Sequence, residues 1–579
     1  MYILFVLKFF YNLLFYSSTS ASSFLQKPKV DIDFESSVKH WLAEMETMYE
    51  AEVMTTLQSK SLATDLTRQV TNMADTTSYT VKKLHQKTKI ISLEFSKLCK
   101  HNKIKPGKHV GPLVQSLIGH VTEFIYEYTQ TSSQNKSADQ RTEEKCQRQE
   151  PTEEEVKTPE ANHEMITDFR KPEPETVEMK KEMEKKKTKE EEVLESCENL
   201  RRLTASGQLD HEKVESEVSV LGQKFREVVD GLLESHIQAL IRVLEEPRTE
   251  LTLRTALSAL TSLGLESNQL GLVVSKCGGI RALLAICLEA RATAVRVSAH
   301  RALATVCCVA ETIRQFEQAG GVEIISDILA DENRSEAELS EASAVIAQIT
   351  APWVQDNHSV EGLSQFLNSL VTSLTRIVGK YKSCETLLLS SAALANLTFM
   401  EPRTVWPLLE KQTAKILLSA VRRQGSKVSV FIMEQAATII ANMSSVPECR
   451  KHLAEQRAVV ALLCFLEIHQ SPLQNAPEVA AAERVLQKSA IALSRLCSDT
   501  VVAKQVVELQ GVNRLVRLCK EEKERNHSDG VLVACLAALR KIVANCGTEA
   551  LQELNAMELV EPRLLDSFLL YSSKQESYV

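Results

Sequence analysis

From about residue 210 onward, apolar residues recur at three- and four-residue spacing in run after run, which predicts α-helices. The runs resemble one another. Gly278-Gly279-Ile280 and Gly320-Gly321-Val322 stand 42 residues apart, and each opens an apolar helix, IRALLAICL after the first and VEIISDIL after the second. A second element is Ala-rich. It reads ALSALTSL from Ala256, ALATVCC from Ala302, AVIAQIT from Ala344, AALANLT from Ala392, ATIIANMS from Ala437, AIALSRLC from Ala490 and CLAALRKI from Cys535. Intervals of ~40–50 residues are the period of armadillo and HEAT repeats. A single helical hairpin cannot bury its apolar face, whereas stacked hairpins share a continuous core. Small residues let neighbouring repeats approach, and the glycine pair supplies the tight turn between helices. The expectation is an all-α, armadillo/HEAT-like superhelical solenoid over 196–566, followed by a tail, 567–579.

Upstream the pattern changes several times. Residues 1–30 begin with an apolar run, Met1 to Tyr16, and a small polar stretch, Ser17 to Ser23. That arrangement resembles a signal peptide. The sequons Asn396-Leu397-Thr398 and Asn442-Met443-Ser444 fall inside packed helices, where a glycan would disrupt the fold. Residues 1–30 are therefore read as an unassigned extension, with no membrane insertion expected. Residues 31–60 form a short patterned segment. Residues 61–130 read as two or three helices divided by a basic loop, Lys100 to His109, where Pro106-Gly107 breaks any helix. Residues 131–195 are rich in mixed charge and poor in large apolar side chains, so they read as a linker whose end can form a solvated helix through Glu–Lys pairs.

Composition narrows the function. The 579-residue chain is 44% hydrophobic but only 5% aromatic, and its formal charge is −8, which supplies no general footprint for nucleic acid. Fourteen cysteines lie mostly within apolar helical runs, as small reduced hydrophobes would, which points to a reducing, cytoplasmic compartment. Adjacent Cys307 and Cys308 project about 100° apart on a helix and are poorly placed to share a metal. Gly107-Lys108 is followed by no hydroxyl residue and lacks the upstream glycine of a phosphate loop. No His-Glu-x-x-His, Gly-x-Ser-x-Gly, Cys-x-x-Cys or dinucleotide fingerprint occurs, and the 13 histidines are scattered. A non-catalytic protein with no cofactor or metal is expected.

Three places carry candidate binding chemistry. In 31–60, Val38, Trp41, Leu42, Met45 and Met48 share one helical face. Seven carboxylates, Glu50 and Glu52 among them, lie between Asp31 and Met54 against only Lys39 and His40. Such a segment either orders as a ligand in a basic groove or packs on the helices of 61–130. Asn396 and Asn442 occupy equivalent places in ANLT and ANMS, where a carboxamide pairs with a bound peptide group or caps local structure. Importin-type armadillo grooves add a tryptophan four residues earlier; Ala392 and Thr438 stand there. The C-terminus, Glu576-Ser577-Tyr578-Val579, places Ser577 two residues before terminal Val579, a pattern that a PDZ groove accepts by strand addition.

The segment SSVKHWLAEMETMYEAEVMTTLQSK resembles the N-terminal binding region of the Inscuteable family of spindle-orientation adaptors. The stretches SSAALANLTF, APEVAAAERVLQKSAIALSRL and GVLVACLAALRKI, and the tail VEPRLLDSFLLYSSKQESYV, resemble the same family. The resemblance implies that 31–60 lies along the tetratricopeptide repeats of a Pins/LGN protein. Trp41 and its apolar neighbours would match the helical part, and Glu50-Ala51-Glu52 the acidic pair. Some members carry proline between those acids, so Ala51 removes a stiffening element. The resemblance further implies that the tail engages a PDZ polarity scaffold of the Bazooka class, at the apical cell cortex, in asymmetric division. The alternative is an armadillo peptide-binding protein of another pathway, such as transport or adhesion.

Overall fold

The computed structural model describes residues 72–104, 111–128, 188–205, 211–246, 249–351, 359–425, 428–469 and 475–561. All regular elements among these are helical, as the periodicity predicts. The chain divides into two compact units, Val81–Ser235 and a second that runs from His236 through the repeats.

The first unit is built from α1 (Asn72–Ile104), α2 (111–128), α3 (Lys189–Ala205) and the start of α4 (His211–Glu245). Its core joins Leu84 and Ile91 of α1, Val114, Leu117 and Phe124 of α2, Leu200 of α3 and Leu221 and Phe225 of α4. Phe124 meets Phe225 edge-to-face, with ring centroids 5.1 Å apart. Gly222 lets the Phe95 ring lie 3.5 Å from where a β-carbon would stand. Two helices flank the basic loop expected near 100–109. The helical repeats, however, do not start at 196. Residues 196–235 belong to this first unit, and Lys189–Glu195, drawn as linker, open α3. Heptad-like apolar spacing shows that a helix has a face to bury, but not which neighbour buries it.

The second unit is the solenoid. Seven inner helices form one ladder, each packed on the next: α5 (Glu250–Glu266), α8 (Thr293–Val306), α11 (Glu336–Ile349), α13 (Cys384–Met400), α16 (Val430–Ser445), α19 (Ala476–Leu496) and α22 (Asp529–Cys546). These are the seven Ala-rich runs. A parallel outer ladder holds α7 (Gly279–Glu289), α10 (Gly321–Ala330), α12 (Leu363–Lys380), α15 (Thr413–Gln424), α18 (Ala458–Leu466) and α21 (Gly511–Lys520). Shorter helices link the ladders: α6 (Asn268–Lys276), α9 (Ala310–Gln318), α14 (Val405–Glu410), α17 (Pro447–Glu455), α20 (Thr500–Glu508) and α23 (Glu549–Glu553).

The two ladders start their helices differently. Most inner helices open at a side-chain cap: Thr249, Ser335, Ser383, Ser429, Asn475 and Ser528 each accept a bond from a first-turn amide. Outer helices have no side-chain cap and instead follow a left-handed residue. Those residues are Gly278, Gly320, Gly362, Gln412, Arg457 and Gln510. The second glycine of each pair serves close approach. A β-carbon on Gly279 would fall 2.6 Å from Val274 Cγ1, and one on Gly321 would overlap the Phe316 ring.

Candidate binding surface of the inner ladder

A polar side chain stands within the last few residues of each inner helix: Ser262, Thr305, Gln348, Asn396, Asn442, Arg495 and Asn545. In the last four, the side chain reaches back one rung. Asn396 Nδ2 donates to the Ala347 carbonyl at 2.8 Å, and Asn442 Nδ2 to Thr398 Oγ1 at 2.7 Å. Arg495 Nη1 donates to the Ala441 carbonyl and Asn545 Nδ2 to the Cys497 carbonyl, at 2.8 and 2.9 Å. These groups tie each rung of the inner ladder to the one before it near the helix C-termini. The two asparagines therefore sit in equivalent places, and their amide nitrogens are engaged by the preceding rung. Arg495 and Asn545 bond back in the same way, but their residue types and their places in the helix differ, which hides the likeness in the sequence.

Further along the ladder, charge is neutralised internally at α8 and α11. Glu338 is fully buried and receives Arg296 Nε at 2.7 Å, Arg296 Nη2 at 3.1 Å, and Arg334. Burial pushes its carboxyl up, but the bonds from Arg296 and Arg334 outweigh this and hold it below the ordinary value. Arg301 similarly holds the buried Glu341. His300 is fully buried beside them, its Nδ1 2.7 Å from the Arg296 carbonyl, and burial lowers its pKa to about 4.

At α16 and α19 the arrangement differs. Glu434 accepts Arg484 Nε at 2.5 Å and Nη2 at 3.1 Å, while Lys488 has no ion pair among the described residues. On the outer ladder, α15 and α18 part to leave a cleft of about 1130 Å³, lined by Leu418, Val421, Val460, Cys464 and Phe465 with Lys415 at its rim. Cys287, Cys307, Cys449, Cys497, Cys519 and Cys535 are buried free thiols, and burial raises the Cys497 pKa to about 12. Cys384 and Cys464 are exposed. No cluster of three or more His, Cys, Asp or Glu side chains suited to a metal occurs among the described residues. No single described helix is long and apolar enough to cross a membrane.

The other sequence-predicted residues lie outside the described residues. They are Val38, Trp41, Leu42, Met45, Met48, Glu50 and Glu52 in the N-terminal segment, and Ser577, Tyr578 and Val579 in the tail.

Taken together, the two ladders and their linking helices define an armadillo-like repeat protein. Solved structures similar to it include a designed armadillo repeat protein, YIII(Dq)4CqI, at 22% identity over 44% of this chain and 99% of that one, with a TM-score of 0.36. An engineered protein, target OR497, aligns at 20% identity over 65% of this chain and 86% of that one, TM-score 0.46. The sequence model for the family described as Protein inscuteable C-terminal matches residues 163–579. The chain belongs to the Inscuteable family. Human and mouse proteins described as Protein inscuteable homolog are each 37% identical to it over 367 residues. Those alignments span 63% of this chain and 63% of each relative.

Proposed function

We propose that the chain is a non-catalytic adaptor. It joins a Pins/LGN tetratricopeptide-repeat protein to a PDZ polarity scaffold of the Bazooka class, at the apical cell cortex, and so helps to orient the mitotic spindle in asymmetric division. The observation that carries this reading is the family match across 163–579, together with the family-like segment at 31–60 that lies upstream of it.

The division of labour follows from chemistry. Trp41 with Val38, Leu42, Met45 and Met48 supplies an apolar helical face for a repeat groove, and Glu50 and Glu52 supply charge for basic side chains beyond it. Ser577, Tyr578 and Val579 supply the PDZ ligand, a hydroxyl two residues before an apolar side chain, taken up by strand addition. The solenoid keeps the two contacts on one molecule. Its asparagines, engaged between rungs, support a scaffold role better than an import-receptor groove.

Titration calorimetry of peptide 31–60 against a Pins/LGN repeat domain tests the first contact. Saturable binding that weakens with Trp41→Ala, with Glu50→Lys plus Glu52→Lys, and with rising salt is expected. Binding indifferent to these changes refutes the assignment. Deleting Tyr578-Val579 from the full chain should abolish PDZ capture, and unchanged capture would remove the tail from the reading.

A further inference from the structure

The inner face of α19 carries Arg484, Lys488, Ile491 and Arg495 at spacings of four, three and four, which places them in one stripe. All four are half-buried along the ladder. On the next rung, α22 adds Arg540 and Lys541, both exposed, and on the preceding rung α16 offers Phe431, Thr438 and Asn442. Against these five cations stands Glu434, held by Arg484 at 2.5 Å. Glu483 nearby is engaged separately, accepting from Asn526 Nδ2 at 3.4 Å.

A surplus of this kind is unusual in a chain whose formal charge is −8. Lys488 sharpens it. Burial lowers its pKa, attraction to Glu434 works against that shift, and the cations Arg484 and Arg495 reinforce the lowering. It forms no ion pair among the described residues, and its nearest counter-charge, Glu434, is already held by Arg484, so a partly desolvated ammonium is left only weakly compensated. At α8 and α11, by contrast, each buried carboxylate is matched by arginine.

We propose that the stripe Arg484, Lys488, Ile491 and Arg495, extended by Arg540 and Lys541, is a docking surface for an extended acidic peptide of a partner protein. Charge complementarity argues for that occupant, and geometry for its form. Packed helices lie about 8–10 Å apart, and an extended chain advances about 3.3 Å per residue. A peptide crossing the rungs would therefore present a side chain to each rung at about every third residue. Asp or Glu at that interval would meet the cations of α19 and α22, with a small apolar residue over Ile491. The surface is distinct from the segment at 31–60 and from the C-terminal tail, and its existence does not depend on what those bind.

The test is fluorescence anisotropy of a fluorescein-labelled peptide, Glu-Ala-Ser repeated four times, titrated with the full chain at low and high salt. Saturable binding that weakens as salt screens the charges is expected. Lys488→Glu with Arg495→Glu should weaken it at least tenfold. Should that variant lose helicity, Arg540→Glu with Lys541→Glu decides, because both positions are exposed; a several-fold loss is expected. No saturation, or affinity unchanged by the exposed pair, overturns the proposal. So does equal affinity for Lys-Ala-Ser repeats or for duplex DNA, which would mean general electrostatic attraction. Binding that appears only after deletion of residues 31–54 also overturns it, since the stripe would then belong to the chain's own acidic segment.

Discussion

The inner ladder treats charge in two ways. At α8 and α11, Glu338 and Glu341 are buried and fastened by Arg296, Arg334 and Arg301, so the rungs are stapled from within. At α16 and α19, Glu434 engages Arg484 while Lys488 has no ion pair and Arg495 binds a backbone carbonyl. Inner helices of different repeats thus serve cohesion in one half and leave cationic surface in the other. A repeat protein contacts only its neighbours, so its rungs can specialise one by one.

The largest expected effect separates the two halves directly. Glu338→Ala leaves two arginines without their buried acceptor and should destabilise the solenoid by about 3–5 kcal/mol. Glu434→Ala, whose arginine is partly solvated, should cost clearly less. Thermal melts followed by circular dichroism give both numbers, and equal costs would break the comparison.

Next comes pH. His300 has an ordinary value of 6.5 that burial lowers to about 4 in the folded chain. Below 6.5 the unfolded chain binds a proton that the folded chain refuses, so stability present above that pH is lost as pH falls toward 4. The loss approaches about 3 kcal/mol at pH 4, and His300→Gln should flatten that part of a melting-temperature profile. A profile unchanged by the substitution would show that the buried imidazole does not set the acid limit of the front rungs.

Smaller effects lie in the outer turns. Gly321→Ala forces a β-carbon onto the Phe316 ring and should cost about 1–3 kcal/mol, read as a lower midpoint in urea. Gln412→Gly relieves a left-handed non-glycine residue, φ 52°, and should raise stability by up to about 1 kcal/mol. A loss there would mean that the Gln412 side chain stabilises the turn.

Much of the fold was legible. Seven Ala-rich runs became the seven inner helices because small residues at helical spacing have one physical use in a stack, close approach. Gly278 and Gly320 marked turns because glycine alone adopts a left-handed conformation without strain. Gln412, Arg457 and Gln510 adopt it too, and their types give no warning. The start of the solenoid was misplaced because α3 and α4 have the same periodicity as repeat helices. For the candidate surface, equivalence of Asn396 and Asn442 was readable, but the direction of their side chains depends on which carbonyl lies one rung away. The stripe on α19 was present in the sequence as APEVAAAERVLQKSAIALSRL. Only the shortage of carboxylates on its neighbours, where Glu434 is taken up by Arg484, distinguishes it from any other polar helix face, and that is a property of packing.

The cysteines give the stack an unintended set of clocks. Buried thiols occur at intervals from Cys287 to Cys535, while Cys464 opens into the cleft between α15 and α18. Alkylation of each buried thiol must wait for its own rung to open. The order in which Cys287, Cys307, Cys449, Cys497 and Cys535 become labelled, read peptide by peptide, would therefore time the opening of the superhelix along its length, with Cys464 setting the zero.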